Sequence, residues 1–508
     1  MNSARSIARS GWVWDVVLGG LSIGWAVVFV RLYAPGRVNV DIANQYAQAT
    51  GAIPFSDWHP PVMAVVWRGL IDLTGEQASL FVLQTGLIAA SCWVLGVIIH
   101  RCGAPRWVSL LGPAVMATPW TLSQMSMLWK DTQMAAALLA TVMLLTVARL
   151  VPKTWLLWVP ALGLLIYAVG LRKNAVFAII PIAVYLGWCL VTALAARRSR
   201  RRETPGFEAP PSRRTRVRSV LATASAGVVV LIILVGGVKA SDAIIAARYD
   251  VQPTGQISQV LLDDVMFSVP DKELMASDAP PELKAKIGQA RPKCLQMGEI
   301  WDAYWNCYGK GATGENFSPI ADQDALRQLW LDTVITHPLR YAEYRATVFS
   351  YYFFSSSLEY WPAEWHGEGT KVGIAQGDEK ADYLFRPYVE DFALATFPMV
   401  FKPWFWCLLA VLLVVAARHL RPTDRAGVAC SGGPRPAPSV VPEIVMLATS
   451  ALCYVAGYFP IVPANHFRYT FWPALAVTVG VVLALGMWSA RRRIARARSA
   501  SPEADDLE

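Results

Sequence analysis

Charged residues are scarce in this chain. Only 16% of its 508 residues are Asp, Glu, Lys or Arg, against the roughly 25% usual in soluble domains, and the mean hydropathy is +0.37. A chain so poor in charge cannot cover a water-facing surface, which leaves a polytopic membrane protein. The net charge of +9 does not indicate nucleic acid as a partner, because the Arg runs stand beside apolar segments, where positive charge sets orientation. A removable leader is not expected. Arg5 and Arg9 give a basic start, but the apolar run from about Trp12 to Val30 is too long and no small-residue cleavage pattern follows. Internal repeats are lacking. Cysteine is sparse: Cys92, Cys189, Cys407 and Cys453 fall in apolar segments and read as small hydrophobes.

What is present is a series of apolar stretches long enough, at roughly 20 residues, to cross a bilayer. About ten are read: 13–33, 77–99, 107–120, 132–150, 154–171, 175–195, 219–240, 393–417, 442–461 and 470–490. The third is short and broken at Pro119. The connections holding Arg101/Arg106, Arg149/Lys153, Arg197 to Arg218, Arg418 to Arg435 and Arg491 to Arg498 fall on one side, and all are basic. That is the pattern of a chain with both termini in the cytoplasm. The run Arg197 to Arg218, interrupted by prolines, reads as a cytoplasmic linker or as a contact for anionic lipid.

The expected fold is all-α and polytopic, with about ten transmembrane helices and a mainly helical exterior domain. Residues 1–240 form an N-terminal membrane module of about seven helices, 241–392 the exterior domain, 393–490 a C-terminal module of about three helices, and 491–508 a cytoplasmic tail. The first exterior loop, 34–76, should hold a helix beginning at Asp41 and a second one after His59-Pro60-Pro61. The apolar positions Val62, Val65, Val66, Gly69, Leu70 and Leu73 recur at helical spacing and would lay this second helix flat on the membrane. In the exterior domain, Ala325 to Thr336 is amphipathic, and Tyr341 to Tyr360 reads as an interfacial helix or a further span. Cys294 and Cys307 both fall there, in a compartment that permits a disulfide. The pattern Gly309-Lys310-Gly311-Ala312-Thr313-Gly314 follows no hydrophobic strand and opens no βαβ unit, so it reads as a loop and not as a nucleotide site.

The polar clusters Asp41, Asp57-Trp58-His59-Pro60-Pro61, Lys130-Asp131, Arg172-Lys173 and His466-Phe467-Arg468 all fall on the face opposite the basic loops. Each has an ordinary reading: Asp41 as a helix N-cap, and each cation as a snorkelling side chain. Their common sidedness favours a site.

In order and sidedness these segments resemble the GT-C superfamily of membrane glycosyltransferases, of the dolichyl-phosphate-mannose protein mannosyltransferase type, which includes the bacterial aminoarabinose transferase of lipid A. The resemblance is carried by the lone Asp after the first span, the His59-Pro60-Pro61 turn with its amphipathic helix, and Leu73-Thr74-Gly75-Glu76. It continues through Thr118-Pro119-Trp120, Leu128-Trp129-Lys130-Asp131 and Asn465-His466-Phe467-Arg468-Tyr469. It covers about the first third of the chain and the last two helices.

It implies a bacterial inner-membrane enzyme with a periplasmic site that moves a sugar from a polyprenyl-phosphate carrier to a glycan, lipid or protein acceptor, inverting the anomeric carbon. Asp41 then takes the catalytic-base role, since an attacking hydroxyl must lose its proton, and partial burial would raise its pKa. The departing lipid phosphate needs fixed cations, and Lys130, Arg468, Arg172 and Lys173 are the candidates. Asp57, His59, Asp131, His466 and Glu359 are candidates for substrate binding. No resident cofactor is expected. A divalent ion on Asp41 and Asp131 stays open, although the first exterior loop lacks a D-x-D or an adjacent acidic pair. A transporter or flippase of a polar lipid or glycan is the alternative, with a non-catalytic assembly partner as a third reading.

Overall fold

The computed structural model of the chain describes residues 2–201, 213–298, 300–309, 321–355, 357–358, 366–420 and 439–499. Within them there is no β-strand, only three isolated bridges. Six helices are long and apolar enough to cross a membrane: Gly11–Tyr33, Ser79–Arg101, Lys130–Leu150, Ala175–Arg197, Val217–Tyr249 and Phe467–Arg496. Three shorter apolar helices, Trp155–Leu171, Pro403–His419 and Val441–Gly457, accompany them. The chain is an all-α membrane protein.

The longer helices are numbered in chain order. Asn2–Tyr33 is α1, Val40–Thr50 is α2, Val62–Thr74 is α3 and Ser79–Arg101 is α4. Lys130–Leu150 is α5, Trp158–Leu171 is α6, Ala175–Arg201 is α7 and Arg213–Tyr249 is α8. Packed on one end of the bundle are α9 (Ile257–Ser268), α10 (Pro281–Met297), α11 (Gln323–Thr333) and α12 (Pro338–Ser355). The chain closes with α13 (Pro403–His419), α14 (Val441–Gly457) and α15 (Phe471–Ser499).

Between α4 and α5 the expected third span is not one helix. It is broken into Arg106–Ser109, Leu111–Ala114, Val115–Ala117 and Pro119–Met125. It nonetheless runs the length of α1. Trp14 Nε1 donates to Ser109 Oγ at 2.8 Å near one end. Near the other, Arg37 N donates to Ser126 O and Leu128 N to Arg37 O. Irregular backbone at membrane depth is tolerated where it is packed against protein, and one face of the segment, with Val108, Ser109, Val115, Met116 and Thr121, is essentially unexposed, while Leu110, Ala114 and Ala117 face outward. The segment slips past α4 where Gly112 meets Gly96. A Cβ on Gly112 would stand 2.5 Å from Gly96 N, so only glycine allows this approach.

The eighth expected span also differs. The chain over 387–401 forms a π-helical and a 3₁₀ turn before α13 begins at Pro403, where a proline suits the first helical turn. Helix α12 is not among the apolar helices long enough to span. It carries Arg340, paired with Glu273, and Arg345, paired with Asp264, on the side of the polar domain, while Val348 and Tyr352 pack into the core of the bundle. That domain has its own core around Leu262, Val265, Ile287 and Leu326, with Cys294 and Cys307 joined in a disulfide.

Far from this domain, the opposite end of the bundle is closed by charge. Arg149 grips the fully buried Glu443 at 2.6 and 2.8 Å, and Tyr185 donates to the same carboxylate at 2.6 Å. Asp15 holds His100 and Arg101 there. The stretch 202–212 of the basic linker, most of the Gly309–Gly314 pattern, and Glu359 lie outside the described residues.

Candidate functional site

Asp41 sits in the first turn of α2 but does not cap it. That role falls to Asn39, whose side chain accepts from Ile42 N at 3.2 Å. The capping reading of Asp41 is therefore replaced, and its carboxylate is left for longer-range partners. Its Oδ2 faces Arg468 Nη1 at 3.4 Å, and its Oδ1 faces His59 Nε2 at 3.7 Å. On the far side of His59, Lys130 Nζ donates to Nδ1 at 2.7 Å. Four residues from four segments thus form one chain: Lys130, His59, Asp41, Arg468.

The protonation states follow from the environment. Burial first, and then the adjoining Lys130 ammonium, lower the His59 pKa to about 3, so its ring is neutral. A neutral ring that accepts from Lys130 at Nδ1 carries its proton on Nε2, aimed at Asp41. For Asp41 the expectation of a raised pKa is reversed. Burial does push it upward, but the Arg468 and Lys130 cations, with the neutral His59 turning its Nε2–H toward the carboxylate, outweigh burial and hold it well below the usual carboxylate range. In this state Asp41 is a stable anion and a weak base.

A second layer surrounds this chain. Asp131 is buried and ion-paired with Arg172 at 2.8 Å, and Arg172 donates to Tyr458 OH at 3.1 Å. Tyr469 lies between the two arginines, with Arg172 4.9 Å and Arg468 5.1 Å from its ring centre. Arg468 also stacks on Trp129 at 4.3 Å. Gln45, one turn beyond Asp41 on the same face of α2, has a buried carbonyl oxygen that, like the Trp129 Nε1–H, meets no hydrogen-bond partner among the described residues.

The remaining candidates go elsewhere. Lys173 turns to Asp242 of α8 at 2.6 Å, half exposed, and leaves the phosphate rim expected of it. Asp57 accepts from Thr254 N and Oγ1 at 2.5 and 2.6 Å, so it ties the first loop to the polar domain and does not face the site. His466 Nε2 meets Asp302 Oδ2 at 3.2 Å. Asp302 itself holds a left-handed φ of 55°, a strained setting for a non-glycine residue, and its N–H donates to Pro463 O. With Phe467 N donating to Ser357 O and Tyr352 OH to Tyr469 O, these bonds clamp the segment that carries Arg468. Asp41 and Asp131 each face an arginine, and among the described residues no three His, Cys, Asp or Glu side chains converge as metal ligands.

Sequence reasoning missed Asp302, Tyr458, Trp129 and Gln45. Trp129 and Tyr469 adjoin singled-out cations, a usable signal; Asp302 carries none. No protein-family model, curated protein or solved structure matches this chain.

Proposed function

We propose that the chain is an inverting glycosyltransferase of the GT-C type, taking a sugar from a polyprenyl-phosphate carrier on the periplasmic face of the bacterial inner membrane. The observation that carries this reading is the Asp41 carboxylate set between Lys130, His59 and Arg468 at one end of an apolar bundle. Counting the broken segment, the chain passes ten times between the two ends. The basic helix ends Arg101, Arg149, Arg418 and Arg491 gather at the end away from Asp41, and positive-inside orientation puts that end in the cytoplasm.

In this reading the acceptor oxygen attacks the anomeric carbon, the bond from that carbon to the phosphate oxygen breaks, and the carrier phosphate leaves with the electron pair. Lys130 and Arg468 match the charge the phosphate gains. The acceptor proton goes to Asp41. The depressed pKa of the carboxylate suits the resting site, and the donor relieves it. A phosphate bound to Lys130 and Arg468 cancels the positive field that weakens Asp41 as a base, so basicity rises when substrate is present. The buried, unpaired Gln45 oxygen and Trp129 N–H are groups a hydroxyl-rich ring can satisfy.

The test is Asp41→Asn, assayed for label transfer from a polyprenyl-phosphate sugar to membrane acceptors. Transfer should fall by at least a thousandfold with thermal stability in detergent retained. Full transfer by the variant would remove Asp41 as the base.

A further inference from the structure

We infer that the groove between α1 and α4 binds one anionic glycerophospholipid, its phosphate held by Arg31 and an ester carbonyl by Thr85. The groove has a volume of roughly 520 Å³. Its walls include Ala26 and Val27 of α1 and Gly86 and Ala89 of α4. A Cβ placed on Gly86 meets nothing within 4 Å, so the wall there is open. Val27 and Val82 at its rim are 52% and 48% exposed, and a lipid enters from the side.

Two features separate this groove from the rest of the lipid-facing surface. Hydroxyls in apolar helices commonly bond the carbonyl one turn back, as Ser91, Thr146, Thr449 and Thr478 do here. Ser22 and Thr85, which line the groove, are 1% and 0% exposed and have no hydrogen-bond partner among the described residues. The other feature is Arg31, exposed at the end of the groove nearest the Asp41 site. No described acidic residue pairs with it, which leaves its charge for a lipid phosphate.

The depths agree with one lipid class. Phe29 stacks on Phe81 at 5.9 Å, and α1 and α4 run antiparallel, so Thr85 lies beside residues 25–26, five to six residues below Arg31. At 1.5 Å per residue that is about 8 Å. The interfacial layer of one leaflet, from hydrocarbon edge to headgroup, is roughly 5–8 Å thick. A phosphate at Arg31 therefore brings the glycerol esters to the Thr85 hydroxyl, which donates to a carbonyl, and an acyl chain continues down past Ser22. A polyprenyl phosphate has no ester to meet Thr85, so the groove is assigned to a structural phospholipid and is separate from the proposed donor site.

Native mass spectrometry of the full-length protein, released from nanodiscs of equal phosphatidylglycerol and phosphatidylcholine, tests this. The wild type should retain one phosphatidylglycerol that Gly86→Leu loses. Arg31→Gln should cut the preference for phosphatidylglycerol over phosphatidylcholine at least tenfold. The near-isosteric Thr85→Val, which leaves packing in place, should shorten retention with the headgroup preference intact. Unchanged retention in either Gly86→Leu or Thr85→Val overturns the assignment, as does displacement of the retained lipid by equimolar polyprenyl phosphate.

Discussion

Replacing Arg468 with Gln should raise the pKa of Asp41 by about 1–3 units, the range expected when an opposite charge is withdrawn from a carboxylate. The two groups are 3.4 Å apart, with side chains 13% and 20% exposed. At an effective dielectric constant near 20, two unit charges at that separation attract by about 5 kcal/mol. Residual solvent access reduces the effect, while Lys130 stays in place beyond His59, and a shift of 1–3 in pKa corresponds to about 1.4–4 kcal/mol. The sign for stability follows. A depressed carboxylate contributes stability that is present above its unfolded pKa and lost as pH falls, so the variant gives up part of that contribution at neutral pH. Infrared difference spectra of the protonated carboxyl band, assigned by its loss in Asp41→Asn, read the titration directly. In the wild type the band should stay absent down to acid unfolding; in Arg468→Gln it should emerge in the ordinary carboxylate range. An unmoved titration would show that Arg468 does not set the charge of Asp41, and a phosphate bound to Arg468 could then not raise its basicity.

Three further outcomes are expected. Burial raises the Asp263 pKa to about 7 against the opposing Tyr308 hydrogen bond, so its contribution to stability is full below the unfolded value near 4 and is lost as pH rises through about 7. Exchange protection in α9 and α11, taken relative to the intrinsic rate at each pH, should therefore fall from pH 5 to pH 8, and Asp263→Asn should flatten that trend, by a few kcal/mol at most. Arg172→Met should cost about 3–5 kcal/mol by leaving Asp131 buried and unpaired; Arg172→Met with Asp131→Leu should recover most of it, and a double variant no more stable in thermal melts than the single one would contradict the pairing. Converting Cys294 and Cys307 to Ala opens a loop of 13 residues and should cost about 3 kcal/mol, seen as faster exchange in α10 with the membrane helices unaffected.

Helix positions were largely legible because apolar runs must be about as long as a bilayer is thick. Legibility ended where partners are remote. Arg468 and Asp41 are 427 residues apart, and Lys130 and His59 71 apart, and no local pattern encodes either contact. Arg172 and Lys173 look equivalent as neighbours, yet successive residues at a turn point in different directions, one to Asp131 and one to Asp242. The cap at α2 lay two residues earlier than the sequence reading had it, because Asn39 and Asp41 are both acceptable caps and only the backbone decides. The Asp41 pKa had the wrong expected sign because the sequence puts the cations on the same face as Asp41 but does not say which of them stand close to its carboxylate.

The weakest apolar segment turns out to decide whether a site can exist at all. Each passage between the two ends reverses the chain, so whether Lys130 lies near Asp41 depends on the parity of the passages between them. If 106–125 were a loop at the end near Arg101, α5 would start at that end. Lys130 and Arg172 would then sit opposite Asp41, and the remaining membrane helices would be inverted as well. The segment is too broken to look like a span, and its prolines and glycines keep it from being one helix. Its contacts with Trp14 at one end and Arg37 at the other carry it from one end of the bundle to the other, with one face of its irregular backbone packed on protein. The Gly96–Gly112 contact is what lets it fit. Gly112→Leu should therefore disrupt Asp41, His59, Lys130 and Arg468 together although it touches none of them.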